Sequence, residues 1–194
     1  MNEKRILILK GSPRRKGNSA ILADRVADGA REAGAAVESF DLHGMDIRPC
    51  DNCDFCQGSG ECVINDDMQL LYPKLLEADG IVIASPIYWF TVSAQMKLCI
   101  DRWYALEGAK SSALAGKEVG IVLSYADSDP FTSGAVNAIR TLQDIFRYQK
   151  AEIAGMVYGS ATQPGEIAAQ PELMERARAL GERLALGPAT EVAV

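Results

Sequence analysis

Short runs of consecutive apolar residues, separated by segments of helical periodicity, restrict this chain more than any other feature. They lie at residues 5–9 (RILIL), 80–85 (GIVIAS), 119–124 (VGIVLS) and 153–158 (IAGMVY). The first three show little alternation of polar and apolar residues, the mark of strands covered on both faces in a parallel sheet. A more polar run at 36–42 suits an edge strand. Helical patterns fill the gaps. Residues 19–33 carry Leu22, Val26 and Ala30 on one face and stop before Gly34; residues 93–103 carry Met96, Cys99, Ile100 and Trp103; residues 135–146 carry Ile139, Leu142 and Ile145. Pro171–Leu186 opens on a proline suited to the first helical position and stops before Gly187. Residues 66–78 also read as helix, with a kink or a broken first turn expected at Pro73. Strand and helix alternating in this way predict a three-layer, doubly wound α/β fold. No linker or repeat divides the chain, so residues 1–187 read as one domain and 188–194 as a loose tail.

The chain has 194 residues and a formal net charge of −6, which argues against nucleic acid as its main partner. No apolar run approaches the ~18 residues of a membrane span. Lys4 and Arg5 are followed by only four apolar residues before Lys10, too short for a secretory signal core. The expected location is cytoplasmic, where disulfides are rare.

Ligands of such sheets bind beyond the carboxyl ends of the strands, where the strand order reverses. The loop after the first run is Gly11-Ser12-Pro13-Arg14-Arg15-Lys16-Gly17-Asn18-Ser19. It matches neither common nucleotide-loop fingerprint. It still has the parts of an anion site: glycines for close backbone approach, short polar side chains, cations and a helix N-terminus. An ordinary turn capped by Asn18 or Ser19 would share several of these residues. The third strand runs into Pro86-Ile87-Tyr88-Trp89-Phe90, whose three aromatics suit a flat ring, or alternatively cover the core. The fourth ends in Ser124-Tyr125-Ala126-Asp127-Ser128, small and polar, suited to the polar edge of that ring.

Taken with Gln95-Met96-Lys97 and Asp101-Arg102, these pieces resemble the NADPH-dependent FMN reductase family of the flavodoxin-like superfamily, from Arg5 to about Tyr158. The resemblance implies a five-stranded parallel sheet of order 2-1-3-4-5, FMN as cofactor and NAD(P)H as co-substrate. Ser12, Arg14, Gly17, Asn18 and Ser19 would hold the FMN phosphate. Pro86, Ile87, Tyr88, Trp89 and Phe90 would flank the isoalloxazine, with Ser124 and Ala126 on its far side. It also implies a homodimer or homotetramer, NAD(P)H or a reduced protein as electron donor, and a small-molecule or protein electron acceptor. Asp101 and Arg102 are expected to pair with each other or with a neighbour on the helix surface.

The segment 49–63 contains Cys50, Cys53, Cys56 and Cys62, spaced C-x2-C-x2-C-x5-C in a polar, Gly-containing stretch. Packing does not explain four cysteines there. A 4Fe-4S cluster needs four such ligands. Structural zinc also needs four, usually as separated pairs, and a redox dithiol needs one C-x-x-C. The spacing is similar to the compact motif of the iron–sulfur flavoproteins, a branch of the same family, and that resemblance implies that all four ligate a 4Fe-4S cluster. Cys99 reads as core and His43 as a loop or surface residue. With one histidine, no Ser-His-Asp set is expected, and no side chain is assigned as a catalytic acid or base. The function implied is an oxidoreductase; an electron carrier resembling flavodoxin and a cysteine-based redox or metal sensor are the alternatives.

Overall fold

The computed structural model describes residues 3–107 and 113–187. Its strands are β1 (Arg5–Lys10), β2 (Ala36–Asp41), β3 (Gly80–Tyr88), β4 (Thr91–Val92), β5 (Glu118–Tyr125) and β6 (Glu152–Ser160). Its α-helices are α1 (Asn18–Glu32), α2 (Phe55–Ser59), α3 (Met68–Glu77), α4 (Ala94–Asp101), α5 (Ala135–Gln149) and α6 (Pro171–Leu186). A 3-10 segment, Arg102–Leu106, continues α4.

Five strands pair in parallel in the order β2-β1-β3-β5-β6. That is the expected 2-1-3-4-5 order once the parallel strands alone are counted. The sixth strand, β4, was not expected: its two residues fold back on the end of β3 as an antiparallel hairpin, pairing Tyr88 with Thr91 and Ile87 with Val92.

The period of two along each strand builds two cores. Leu7, Leu9, Ile81, Ile83, Val119, Ile121 and Leu123 face one side, against Leu71, Leu75, Met96, Trp103, Leu142 and Phe146 of the helical layer containing α3, α4 and α5. Ile6, Ile8, Val82, Ala84, Val122 and Val157 face the other, against Leu22, Val26, Leu180 and Leu184 of α1 and α6. Burial on both faces explains why β1, β3 and β5 lack polar alternation. Helices α1 and α6 approach at Gly29 and Gly181, where an added Cβ would lie 2.0 Å from the Arg178 carbonyl oxygen and 1.9 Å from that of Val26.

Helix α3 runs from Met68 to Glu77 with Pro73 inside it, so the expected broken first turn is not seen at the proline. Proline there removes the one N–H that would bond Gln69, while Leu71 and Leu75 stay fully buried on either side. Cys99 is core, as expected, and burial pushes its thiol up to about 12. His43 is exposed, with Gln95 Nε2 3.4 Å from its Nδ1. The tail expected at 188–194 lies outside the described residues.

Candidate functional site

Strand order reverses between β1 and β3, and the loops at that end of the sheet converge. A cavity of about 230 Å³ is lined by Ser12, Arg14, Gly17, Asn18, Pro86, Ile87, Tyr88, Ser124 and Ala126, all picked out from sequence. Tyr125, Ala161, Thr162 and Pro164 complete the wall. A second hollow of about 280 Å³ has Ile87, Tyr125 and Ala126 in common with it and extends past Trp89 and Phe90 to Asp127, Thr132 and Ser133. Sequence reasoning missed the Ala161–Pro164 side because it followed only the first, third and fourth strands. The carboxyl-end rule applies equally to β6, whose neighbour is β5.

The first loop is clamped from below. Gly11 N–H donates to the Ala84 carbonyl at 2.7 Å, prolonging the β1–β3 ladder. The Ser93 hydroxyl donates to the Gly11 carbonyl at 2.7 Å, and Ser93 N–H donates to the Ser85 hydroxyl at 2.9 Å. Within the loop the Ser12 hydroxyl accepts from Arg14 N–H and donates to the Arg14 carbonyl. Gly17, rather than Asn18 or Ser19, is the N-cap of α1, and no side chain caps the helix. Its first-turn N–H groups and partial positive charge are thereby left for an outside acceptor. Space at Gly17 is tight: a Cβ would lie 2.6 Å from Ser12 Oγ.

The polar residues divide their work. Asn18 turns its amide to the far wall, donating to the carbonyls of Ala161 at 3.2 Å and Gln163 at 3.0 Å and accepting from Ile167 N–H. Its side chain thereby joins two loops. Ser19 is buried, and its hydroxyl has no hydrogen-bond partner. An orphaned hydroxyl is costly inside a protein, and this one sits in the first turn of the uncapped helix. Lys10 pairs with Asp24, whereas Arg14, Arg15 and Lys16 are exposed and carry no ion-pair partner among the described residues. The cavity thus has an anion-seeking end.

Its other end is aromatic. The β3–β4 hairpin turns through Trp89 (φ 46°) and Phe90 (φ 66°). Positive φ at both central residues is the geometry of a type I′ turn, where Asn-Gly is usual and two bulky residues are strained. Trp89 is 92% exposed and Phe90 54%. They do not cover the core; they form an apolar rim beside the cavity. Gly134 (φ 76°) lets the start of α5 approach Phe90, since a Cβ there would lie 2.5 Å from Phe90 Cβ.

The cysteine loop lies at the C-terminal end of α4. Cys50 and Cys53 are exposed, Cys62 is partly exposed, and Cys56 is buried. None forms a disulfide. Among the described residues no three His, Cys, Asp or Glu side chains group closely enough to hold a metal ion. The donor set nevertheless has the right number and softness for an iron–sulfur centre. Asn52 and Asp54 take left-handed conformations that bend the loop sharply. At Cys53 a hydrogen bond from the Phe55 backbone lowers the thiol pKa, but the Asp51 side chain raises it and the net shift is upward.

Arg102 departs from expectation. Asp101 makes a surface pair with Lys97 at 2.7 Å, but Arg102 is only 1% exposed. Its Nη1 meets Asp66 Oδ2 at 2.5 Å and the Arg48 carbonyl at 2.9 Å, and its Nη2 lies 3.3 Å from Cys62 Sγ. Burial is the largest influence and acts to lower the guanidinium pKa, but Asp66, Tyr72 and Cys62 together outweigh it and hold the pKa up. The contact with Arg102, with two backbone N–H donors, keeps Asp66 below the usual carboxylate range despite burial. Sequence could not separate this buried pair from a surface one, because both partners look polar and Asp66 is 36 residues away.

Comparison with known proteins agrees with this geometry. An iron–sulfur flavoprotein of Archaeoglobus fulgidus is 32% identical over 177 residues, covering 90% of this chain and 76% of the relative. One of Methanocaldococcus jannaschii is 37% identical over 98 residues, 50% of this chain, and the matched stretch spans about half (51%) of the relative's length. The fold is that of the NAD(P)H:quinone oxidoreductase from Methanothermobacter marburgensis, with a TM-score of 0.72, 20% identity, and coverage of 94% of this chain and 98% of that one. The family model for NADPH-dependent FMN reductase matches residues 4–163, and the chain belongs to that family.

Proposed function

We propose that this protein is an FMN-dependent oxidoreductase that takes electrons from NAD(P)H and delivers them to an acceptor, with an iron–sulfur cluster on the cysteine loop as a further electron carrier. The observation that carries the reading is a pair of adjoining hollows with Ile87, Tyr125 and Ala126 in common, one at an uncapped helix N-terminus and the other beside an exposed aromatic hairpin. That polarity suits a molecule with an anionic tail and a flat ring.

Ser12, Arg14, Gly17 and the backbone at Asn18 and Ser19 would bind the phosphate. Ser19's unpartnered hydroxyl supports this role, because a phosphate brings acceptors to a helix start that lacks them. Pro86, Ile87 and Tyr88 would orient the ring, with Ser124 and Ala126 opposite. Trp89 and Phe90 would keep water from the exposed ring face and offer a stacking surface to the nicotinamide. Bound FMN would supply the redox chemistry between NAD(P)H and the acceptor, while the residues above would bind and orient it. Cys50, Cys53, Cys56 and Cys62 would hold a 4Fe-4S cluster, supported by their number and by relatives named iron–sulfur flavoproteins.

A cytoplasmic homodimer or homotetramer is part of the same proposal. Among the described residues no helix is long and apolar enough to cross a membrane. Light scattering on the eluted protein reads the assembly.

The test is the absorption spectrum of anaerobically purified protein supplied with FMN, followed by NADPH or NADH. Flavin absorbance that bleaches on mixing supports the oxidoreductase. Bound flavin that only a reduced ferredoxin bleaches points to a carrier, and no bound flavin overturns the reading. Iron and acid-labile sulfide analysis decides the cluster.

A further inference from the structure

We propose that Arg102 is a positioning residue for the iron–sulfur centre: it fixes the fourth cysteine, Cys62, and by hydrogen bonding to its sulfur raises the reduction potential of the cluster. The inference rests on the cluster reading above.

Two side chains, Tyr72 and Arg102, approach the Cys62 thiol, and of these two Arg102 is the one that carries a charge. A buried Arg needs a reason, since its charge is expensive to remove from water. One arm satisfies Asp66, whose side chain is fully buried, and the Arg48 carbonyl. The second arm points at Cys62 Sγ, 3.3 Å away. Nε has no partner. Pairing with Asp66 alone accounts for one end of the fork; the other end meets the cysteine loop.

Asp66 is held as well. Its carboxylate accepts from Arg48 N–H at 2.9 Å and Met68 N–H at 3.1 Å. The guanidinium therefore rests on a fixed base that spans both flanks of the cysteine loop. Tyr104, two residues further on, repeats the pattern on the other side: its hydroxyl donates to Asp54 and its carbonyl accepts from Gln57 Nε2. Helix α4 thus begins at the first loop, through Ser93, and ends on the cysteine loop, through Arg102 and Tyr104.

Partners of this kind orient metal ligands and tune the metal, and hydrogen bonds to cluster sulfurs raise the potential by stabilising the reduced, more negative state. Lysine would keep the charge opposite Asp66 but cannot reach three acceptors with one planar fork.

The test uses the full-length protein, purified anaerobically, in three forms: wild type, Arg102→Lys, and Arg102→Gln combined with Asp66→Asn. The double variant leaves no unpaired buried charge. FMN occupancy and the thermal midpoint report folding. A redox titration followed by electron paramagnetic resonance reports the cluster potential, and iron release to a chelator reports its retention. The expected result is normal FMN occupancy, a more negative cluster potential in both variants, and iron loss faster by about tenfold. The smaller shift should belong to Arg102→Lys. Unchanged potential and release in variants that retain FMN overturn this inference alone. Loss of FMN and of the melting transition in both variants assigns Arg102 to the fold and overturns it too. A wild type without iron and sulfide overturns the cluster reading, and the inference falls with it.

Discussion

The Ser93 hydroxyl donates to the Gly11 carbonyl at 2.7 Å and accepts the Met96 N–H at 3.3 Å. One buried side chain thereby caps α4 and holds the glycine that opens the first loop. Ser93→Ala removes the cap and leaves a buried carbonyl without its donor. The expected loss is about 2 kcal/mol of stability, read by urea unfolding. Weaker FMN binding should accompany it, since the loop loses its lower clamp. Unaltered stability would show that Gly11 is held by the sheet alone.

Gly17→Ala tests the closeness of the first loop. The backbone at Gly17 (φ −72°, ψ 157°) is open to alanine, so strain in the turn itself is not the issue. The added Cβ would meet Ser12 Oγ at 2.6 Å and the Arg14 carbonyl at 3.0 Å. FMN affinity should drop by about tenfold, or 1.4 kcal/mol, in a flavin fluorescence titration. The melting temperature of the FMN-free protein should change little.

Trp89→Asn separates stability from use. Tryptophan in the left-handed region is strained, and its ring is 92% exposed, so little packing is lost. Asparagine tolerates that conformation. The variant should be more stable by up to about 1 kcal/mol while its flavin is bleached more slowly by NAD(P)H, as stopped-flow absorbance would show. A less stable variant would contradict the strain argument.

Chelator-treated protein held under anaerobic conditions at pH 8 should be alkylated by iodoacetamide first at the exposed Cys50 and Cys53. Cys99, whose thiol burial pushes up to about 12, would hold almost no thiolate at that pH. Mass spectrometry should find it modified only after unfolding. Early labelling of Cys99 would mean that α4 opens in the native state.

Gly29→Ala addresses the fold alone. A Cβ 2.0 Å from the Arg178 carbonyl cannot be accommodated unless α6 moves. A loss above about 3 kcal/mol is expected in thermal unfolding, as for severe overpacking.

Much of the fold and a good part of the wall of the candidate site could be read from the sequence. Ile6 to Leu9 and Ile81 to Ala84 announced doubly buried strands because a parallel sheet between two helical layers leaves no polar face. Ser12, Gly17, Pro86 and Ser124 could be named because carboxyl-end loops of such sheets follow the strands in sequence. These are local signals: periodicity, punctuation and spacing lie within one stretch of chain. Contacts between distant stretches carry no such signal. Nothing near Asn18 announces that its amide crosses to Ala161 and Gln163, and nothing near Arg102 announces that it turns inward to Asp66 and Cys62. The hairpin at Trp89 and Phe90 was hidden for another reason: its turn uses residues that propensity disfavours. Sequence alone determined the layers and the loops at the carboxyl ends of the strands, and the order of the strands came only through the family resemblance. The tertiary structure decided which side chains face the cavity, which hold the loops and where charge is buried, because those depend on what packing brings together.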